Sequence, residues 1–200
     1  MIAKMISPRR FALALLLAAI GVSAPARAET YRMDVIIFVD LWASGSEAGS
    51  PPGAPQLKGA IDLDDVAKLR AAGIEILPED QFALMDQYNH IRYSKQFKPL
   101  MRLAWTQKDP PQERGPALHI RIGGSADGAT PPLVDGSIAM LLSRYLHLDA
   151  DLGYQQDGQS WALDERRKMR RDEVHHLDSA RLGILAQVSK AGGGADDATP

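Results

Sequence analysis

Gly136-Ser-Ile-Ala-Met-Leu-Leu-Ser-Arg-Tyr-Leu-His-Leu-Asp-Ala-Asp-Leu152 and, past a polar gap, Trp161-Ala-Leu-Asp-Glu-Arg-Arg-Lys-Met-Arg-Arg-Asp-Glu-Val-His-His-Leu-Asp178 decide the fold of this chain. Both stretches alternate with period two, the pattern of strands with one face buried. In the first, Ile138, Met140, Leu142, Leu146, Leu148 and Leu152 point one way; Ser143, Tyr145, His147, Asp149 and Asp151 point the other. Arg144 interrupts the apolar face and marks a bend, a bulge or a strand end. Gln155-Gln156-Asp157-Gly158 supplies a tight hairpin turn. The partner strand starts at Trp161, with Trp161, Leu163 and Met169 on one side.

Outward from this hairpin the chain reads as strands with two helices early. Tyr31 to Asp40 is rich in β-branched and aromatic residues and continuously apolar from Val35, as in a central strand buried on both faces. Ser44 to Gln56 is a Gly/Ser/Pro-rich loop. A short helix is expected from Asp62, as cap, to Ala72, with Leu63, Val66 and Leu69 on one face and Gly73 as the stop. A second is expected from Pro78, with Phe82, Met85, Tyr88 and Ile91 as its core stripe, ending before Pro99. Leu100–Gln107, Ala117–Ile122 and Leu182–Val188 read as further strands. The whole predicts an α+β fold: a mainly antiparallel sheet with two or so helices packed on one face.

The ends predict an exported protein. Lys4, Arg9 and Arg10 precede an apolar core from Phe11 to Val22, and Ala26-Arg27-Ala28 has the small-x-small form that signal peptidase cuts. The core is too short for a helix spanning a bilayer of about 30 Å, so no membrane-spanning segment is expected. We expect cleavage after Ala28, a single periplasmic domain over 29–190 and a disordered tail over 191–200. With no cysteine there is neither a lipid-anchor site nor a disulfide. Cleavage leaves 19 basic against 25 acidic residues, a net charge near −6, which argues against nucleic acid as a partner.

Against that acidic background Arg166, Arg167, Lys168, Arg170 and Arg171 form a cationic run. If the strand continues, Arg167 and Arg171 share one face, and Arg166, Lys168 and Arg170 the other. Arginine forks match carboxylates and phosphates, which suits an anionic ligand or an acidic partner. Alternatively the run pairs with Asp149, Asp151, Asp164, Asp172 and Glu173 and blunts an edge strand. His175 and His176 point to opposite strand faces and cannot chelate together, so no metal and no cofactor is expected. Nothing resembles a nucleophile motif.

Several blocks resemble the CsiV family of periplasmic, peptidoglycan-binding proteins: Y-R-M-D-V-I-I-F from Tyr31; K-P-L-M-R-L-A-W-T-Q from Lys98; the R-Y-L-H strand at 144–147; and R-R-K-M-R-R-D-E-V-H-H-L-D from Arg166. Arg144, Tyr145, His147, Arg166, Arg167, Met169, Arg170, Glu173, His175 and Asp178 match family positions. Arg171 stands for Ser, His176 for Tyr, and Ser179-Ala180 for His-Pro. The resemblance implies a non-enzymatic factor in cell-wall biogenesis and cell shape, one that binds peptidoglycan, an outer-membrane lipoprotein activator and a class A penicillin-binding protein. Arg144, Tyr145, His147, Trp161, Arg166, Arg167, Arg170, Arg171, Glu173, His175 and Asp178 are the candidate contacts, sugars stacking on Trp161 or Tyr145 while stem-peptide carboxylates meet the arginines. The alternatives are an envelope adaptor that does not touch the wall, and a metal-dependent wall hydrolase.

Overall fold

The computed structural model describes residues 29–43, 55–125 and 127–191. The expected export signal, most of the Ser44–Gln56 loop and the tail beyond Ala191 lie outside them. In chain order the elements are β1 (Thr30–Asp40), β2 (Ala60–Asp62), α1 (Val66–Ala71), β3 (Ile74–Ile76), a 3-10 turn (Glu79–Gln81), α2 (Met85–Arg92), β4 (Phe97–Lys108), β5 (Ala117–Ile122), β6 (Val134–Leu142), β7 (Leu146–Gln156), β8 (Gln159–Lys168), β9 (Val174–Asp178) and β10 (Leu182–Lys190). The fold is α+β and mainly antiparallel, with the strands divided between two sheets. The first sheet has the order β3-β4-β1-β10-β9, the second β2-β5-β6-β7-β8. Among the described residues, β2 and β5 are the paired strands that run parallel.

The two sheets share one apolar core. Met33, Val35, Ile37 and Trp105 of the first meet Ile120, Ile138, Met140 and Leu148 of the second. Each side chain of this kind stabilises the fold by about 1.5–3 kcal/mol when buried. The opposite face of β1 carries Ile36 and Phe38, which Phe82, Leu84 and Ile91 cover. That second layer is why the run from Val35 to Val39 does not alternate.

Both helices differ in detail from the sequence reading. Asp65, not Asp62, caps α1, accepting from the Lys68 N–H at 3.1 Å; Asp62 ends β2 and meets His119. Leu69 is the buried residue of α1, and it enters the inter-sheet core. The second helix starts only at Met85. Asp34, almost fully buried, explains the delay. Its carboxylate is held by Arg32 at 2.7 and 2.8 Å and accepts the Ala83 N–H at 2.8 Å, while Arg32 also donates to the Gln81 carbonyl. Those bonds fix 81–83 to the sheet and divert backbone groups that a helix would use. Phe82 and Leu84 still cover the sheet, but from irregular backbone. Pro99, which lies just before the strand expected from Leu100, sits within β4 beside the register shift at Ile37/Phe38, where a bulge accommodates a residue that cannot donate to the ladder.

The long alternating segments are hairpins. Arg144 marks the end of β6 and a three-residue connection to β7, paired from Val134↔Tyr154 to Leu142↔Leu146. Asp157 and Gly158 both have positive φ, 52° and 74°, as a type I′ turn requires. The cationic stretch, read as one strand, is two. β8 stops at Lys168, Asp172 takes φ 63°, and the chain crosses to the first sheet before resuming as β9.

Candidate functional site

That break separates the cations. Arg166 and Lys168 lie on the outer face of the second sheet, opposite Asp149 and His147 of β7; Arg167 faces inward, opposite Leu148. Arg170 and Arg171 are past the strand end. The two-faced arrangement of five residues expected from a continuous strand therefore does not exist.

Most of the run is neutralised nearby. Asp149, 4 % exposed, accepts from Arg166 at 2.6 Å and from Arg114 at 3.4 Å. Arg114 also donates to Ser137 Oγ at 2.6 Å, and that hydroxyl donates to the Gln56 carbonyl at 2.8 Å. The Gln56 N–H returns to Asp151 at 2.8 Å. Charge-assisted bonds of this kind are stronger than neutral ones, and here they tie the segments around Gln56 and Arg114 over the outer face of the second sheet. Beside them His119 bridges Asp62 (2.5 Å) and Asp135 (2.8 Å). Burial alone would lower the His119 pKa, but the bonds to Asp135 and Asp62 prevail and hold it above its ordinary value.

The other candidates scatter. Arg167 pairs with Glu165 at 2.6 Å, and Arg170 with Glu173 at 3.7 Å in an exposed pair. His175 Nε2 accepts the Arg170 N–H at 2.9 Å, so that histidine holds the crossover. Arg171 bridges to Val188 through its backbone and its charge acts on Glu29 and Tyr31. Asp178 is exposed on β9, opposite Gly183. Trp161, expected beside the cations, is instead 6 % exposed in the inter-sheet core. Its ring contacts Tyr154 with centroids 5.4 Å apart, beneath the Arg181 guanidinium at 4.9 Å. A sugar cannot stack there.

Arg144, Tyr145, His147 and Lys168 do come together, at the β6–β7 connection. Lys168 Nζ lies 3.3 Å from the centre of the Tyr145 ring and Arg144 Cζ 5.5 Å from it, while His147 Nδ1 is 2.9 Å from the Tyr145 carbonyl. Tyr145 is 43 % exposed. Among the described residues no carboxylate pairs with Arg144 or Lys168. The same residues contain no group of three or more His, Asp or Glu placed to hold a metal ion, and no helix long and apolar enough to cross a membrane.

A second cluster escaped the sequence reading. At the end of β1, Asp40 accepts the Trp42 and Ala43 N–H groups at 2.8 and 3.2 Å and the Gln96 side-chain amide at 2.9 Å. The Leu41 N–H donates to the Gln96 carbonyl at 2.7 Å. Nearby on the outer face, Phe38 meets Phe97 edge-on at 5.4 Å and His176 stacked at 5.8 Å. The available signal was Trp42 itself, a large aromatic placed just after an apolar strand and before a Gly/Ser/Pro loop.

A family model described as "Peptidoglycan-binding protein, CsiV" matches residues 11–191, most of the chain. No curated protein and no solved structure matches.

Proposed function

The chain belongs to the CsiV family, and from that premise we propose that it is a cell-envelope protein that binds peptidoglycan without catalysing a reaction on it. The observation that carries the reading is the family match over residues 11–191. Arg144, Lys168 and the exposed Tyr145 ring support the reading: among the described residues no acid pairs with these cations, and they could receive carboxylates of the stem peptides. A non-enzymatic role is supported by the partners that four of the five histidines hold. His119 is bound by two carboxylates, His147 by a backbone carbonyl, His175 by the Arg170 N–H, and His176 lies against Phe38. The family resemblance further supports a periplasmic location after export, with a lipoprotein activator and a class A penicillin-binding protein as partners.

Co-sedimentation of the mature protein with isolated sacculi tests the reading. We expect pelleting that weakens as salt rises, because exposed charges are screened. Arg144→Ala with Lys168→Ala should lower affinity about threefold, an effect of roughly 0.6 kcal/mol, and flatten the salt dependence. Absence of the wild-type protein from the pellet at low salt would reject wall binding; recovery of envelope proteins alone would then favour an adaptor. Release of soluble wall fragments would reject the non-enzymatic assignment.

A further inference from the structure

The aromatic corner of the first sheet, unlike the cationic cluster, is lined mainly by uncharged groups, with the Asp40 carboxylate bonded to backbone and amide N–H groups and the Arg92 guanidinium 5.8 Å from the Tyr93 ring centre. A concavity of about 690 Å³ opens there, lined by Asn89, His90, Ile91, Tyr93, Ser94 and Phe97. No Asp, Glu, Lys or Arg is among those six residues. Tyr93 is 78 % exposed and Trp42 66 %, the two most exposed large hydrophobic side chains of the described residues. Neither exposure reflects a loose backbone: the Asp40 carboxylate fixes the Trp42 N–H, and Tyr93 N–H closes the last turn of α2 on the Asn89 carbonyl at 3.0 Å. Ser94 Oγ then accepts the Gln96 and Phe97 N–H groups at 3.0 and 3.2 Å. Phe97 links the concavity to Phe38 and, through it, to His176, so that aromatic rings run from the end of α2 across β4 and β1 to β9.

Large rings held outward at one corner, beside amide, hydroxyl and imidazole groups, have the chemistry of a carbohydrate site. Aromatic faces cover the apolar C–H side of a pyranose, and neutral polar groups bond its hydroxyl and acetamido substituents. Peptidoglycan offers two chemistries: uncharged chains of N-acetylated amino sugars, and stem peptides bearing carboxylates. The six lining residues fit the first and bring no charge for the second, while the Arg92 guanidinium beside them is held 5.8 Å from the centre of the Tyr93 ring. We infer that this corner is a glycan subsite that stacks N-acetylated amino sugars on Tyr93, with Trp42, in the segment joined to it by the Leu41–Gln96 backbone bond, as a second platform. The inference rests on the peptidoglycan-binding reading and assigns the sugar chain to a surface distinct from the Arg144–Tyr145–Lys168 cluster.

Trp42 is also its own reporter. Of the three tryptophans, Trp105 and Trp161 are buried, so solvent quenching of fluorescence by acrylamide reads Trp42. Titration with soluble N-acetylglucosamine oligomers should protect Trp42 from acrylamide, and Tyr93→Ala should weaken that binding about tenfold, roughly 1.4 kcal/mol. Trp42→Phe should abolish the fluorescence response while the protein remains folded. In parallel, Trp42→Ala with Tyr93→Ala should lose most sacculus binding at high salt, where the cationic cluster is screened. Wild-type pelleting with an unaffected double variant would overturn the subsite but leave wall binding standing. Wild-type protein that neither pellets nor responds to the oligomers would overturn both. A double variant that pellets normally but changes from dimer to monomer in sedimentation velocity would assign the corner to a second copy of this chain, again overturning the proposal.

Discussion

On the outer face of the second sheet, Asp149 holds Arg114 and Arg166, Ser137 ties Arg114 to Gln56, and His119 lies between two carboxylates. At the outer corner of the first sheet, Asp40 and Ser94 hold only backbone and amide groups, and the rings of Trp42 and Tyr93 are exposed, the latter beside the Arg92 guanidinium. The first region is rich in charge and closed on itself; the second has little charge and is open. Formal charge is therefore a poor guide to availability. What counts is whether the fold has already brought a partner, because a paired ion has given up much of its attraction for anything else.

The contrast can be broken at its strongest point. Asp149→Ala should leave the Arg114 and Arg166 guanidinium groups without their shared carboxylate and lower the unfolding free energy by about 3 kcal/mol, read from urea denaturation. Sacculus binding by the folded fraction should hardly change. An unaltered denaturation midpoint with lost binding would reverse the roles given to the two regions.

The open region has its own structural dependence. A Cβ at Gly183 would lie 2.5 Å from the Phe38 ring, so Gly183→Ala should cost about 1–3 kcal/mol through overpacking. By displacing Phe38 from Phe97 and His176, it should also weaken oligosaccharide binding, which Asp149→Ala should not.

His119 gives the closed region a pH dependence. Its pKa is raised in the folded state, so the contribution is fully present below the unfolded value of about 6.5 and disappears as pH climbs through the folded value. Unfolding free energy should fall as pH rises above about 6.5, and His119→Gln should flatten that slope. A slope unchanged in the variant would remove His119 from the ionic lattice.

The smallest effect belongs to Arg170→Ala. Its pair with Glu173 spans 3.7 Å between side chains 75 % and 55 % exposed, and exposed pairs of this kind contribute about 0.5 kcal/mol or less. A larger loss of stability would show that exposed members of the run also hold the fold.

Much of the architecture was legible because its signals are local. Alternation along Ile138–Leu152 specified a half-buried strand pair, the intrusion of Arg144 marked the β6 end, and Asp157-Gly158 specified a turn. The early start expected for the second helix failed because Arg32 and Asp34, 49 residues away from Gln81 and Ala83, take backbone groups there. β2 and β3 are three residues each, too short for a periodic signal. The candidate site was less legible. Tyr145 was singled out with the cations, and the fold does place it between Arg144 and Lys168. Trp161 was singled out with them and lies in the core, since period two identifies a common face without saying which face is covered.

By itself, the sequence determined the strands, the main turn, the α+β class and the order of blocks that carries the family resemblance, because each depends on residues close together in the chain. Tertiary structure decided that the Arg166–Arg171 run splits between β8 and the crossover to the first sheet, that Arg166, Arg167 and Arg170 of it meet carboxylates, one as distant as Asp149, and that Trp42 and Tyr93 are exposed while Trp161 is buried. Burial and ion pairing depend on which distant segments meet. That meeting pairs Arg166, Arg167 and Arg170 with carboxylates and sets Lys168 against the Tyr145 ring.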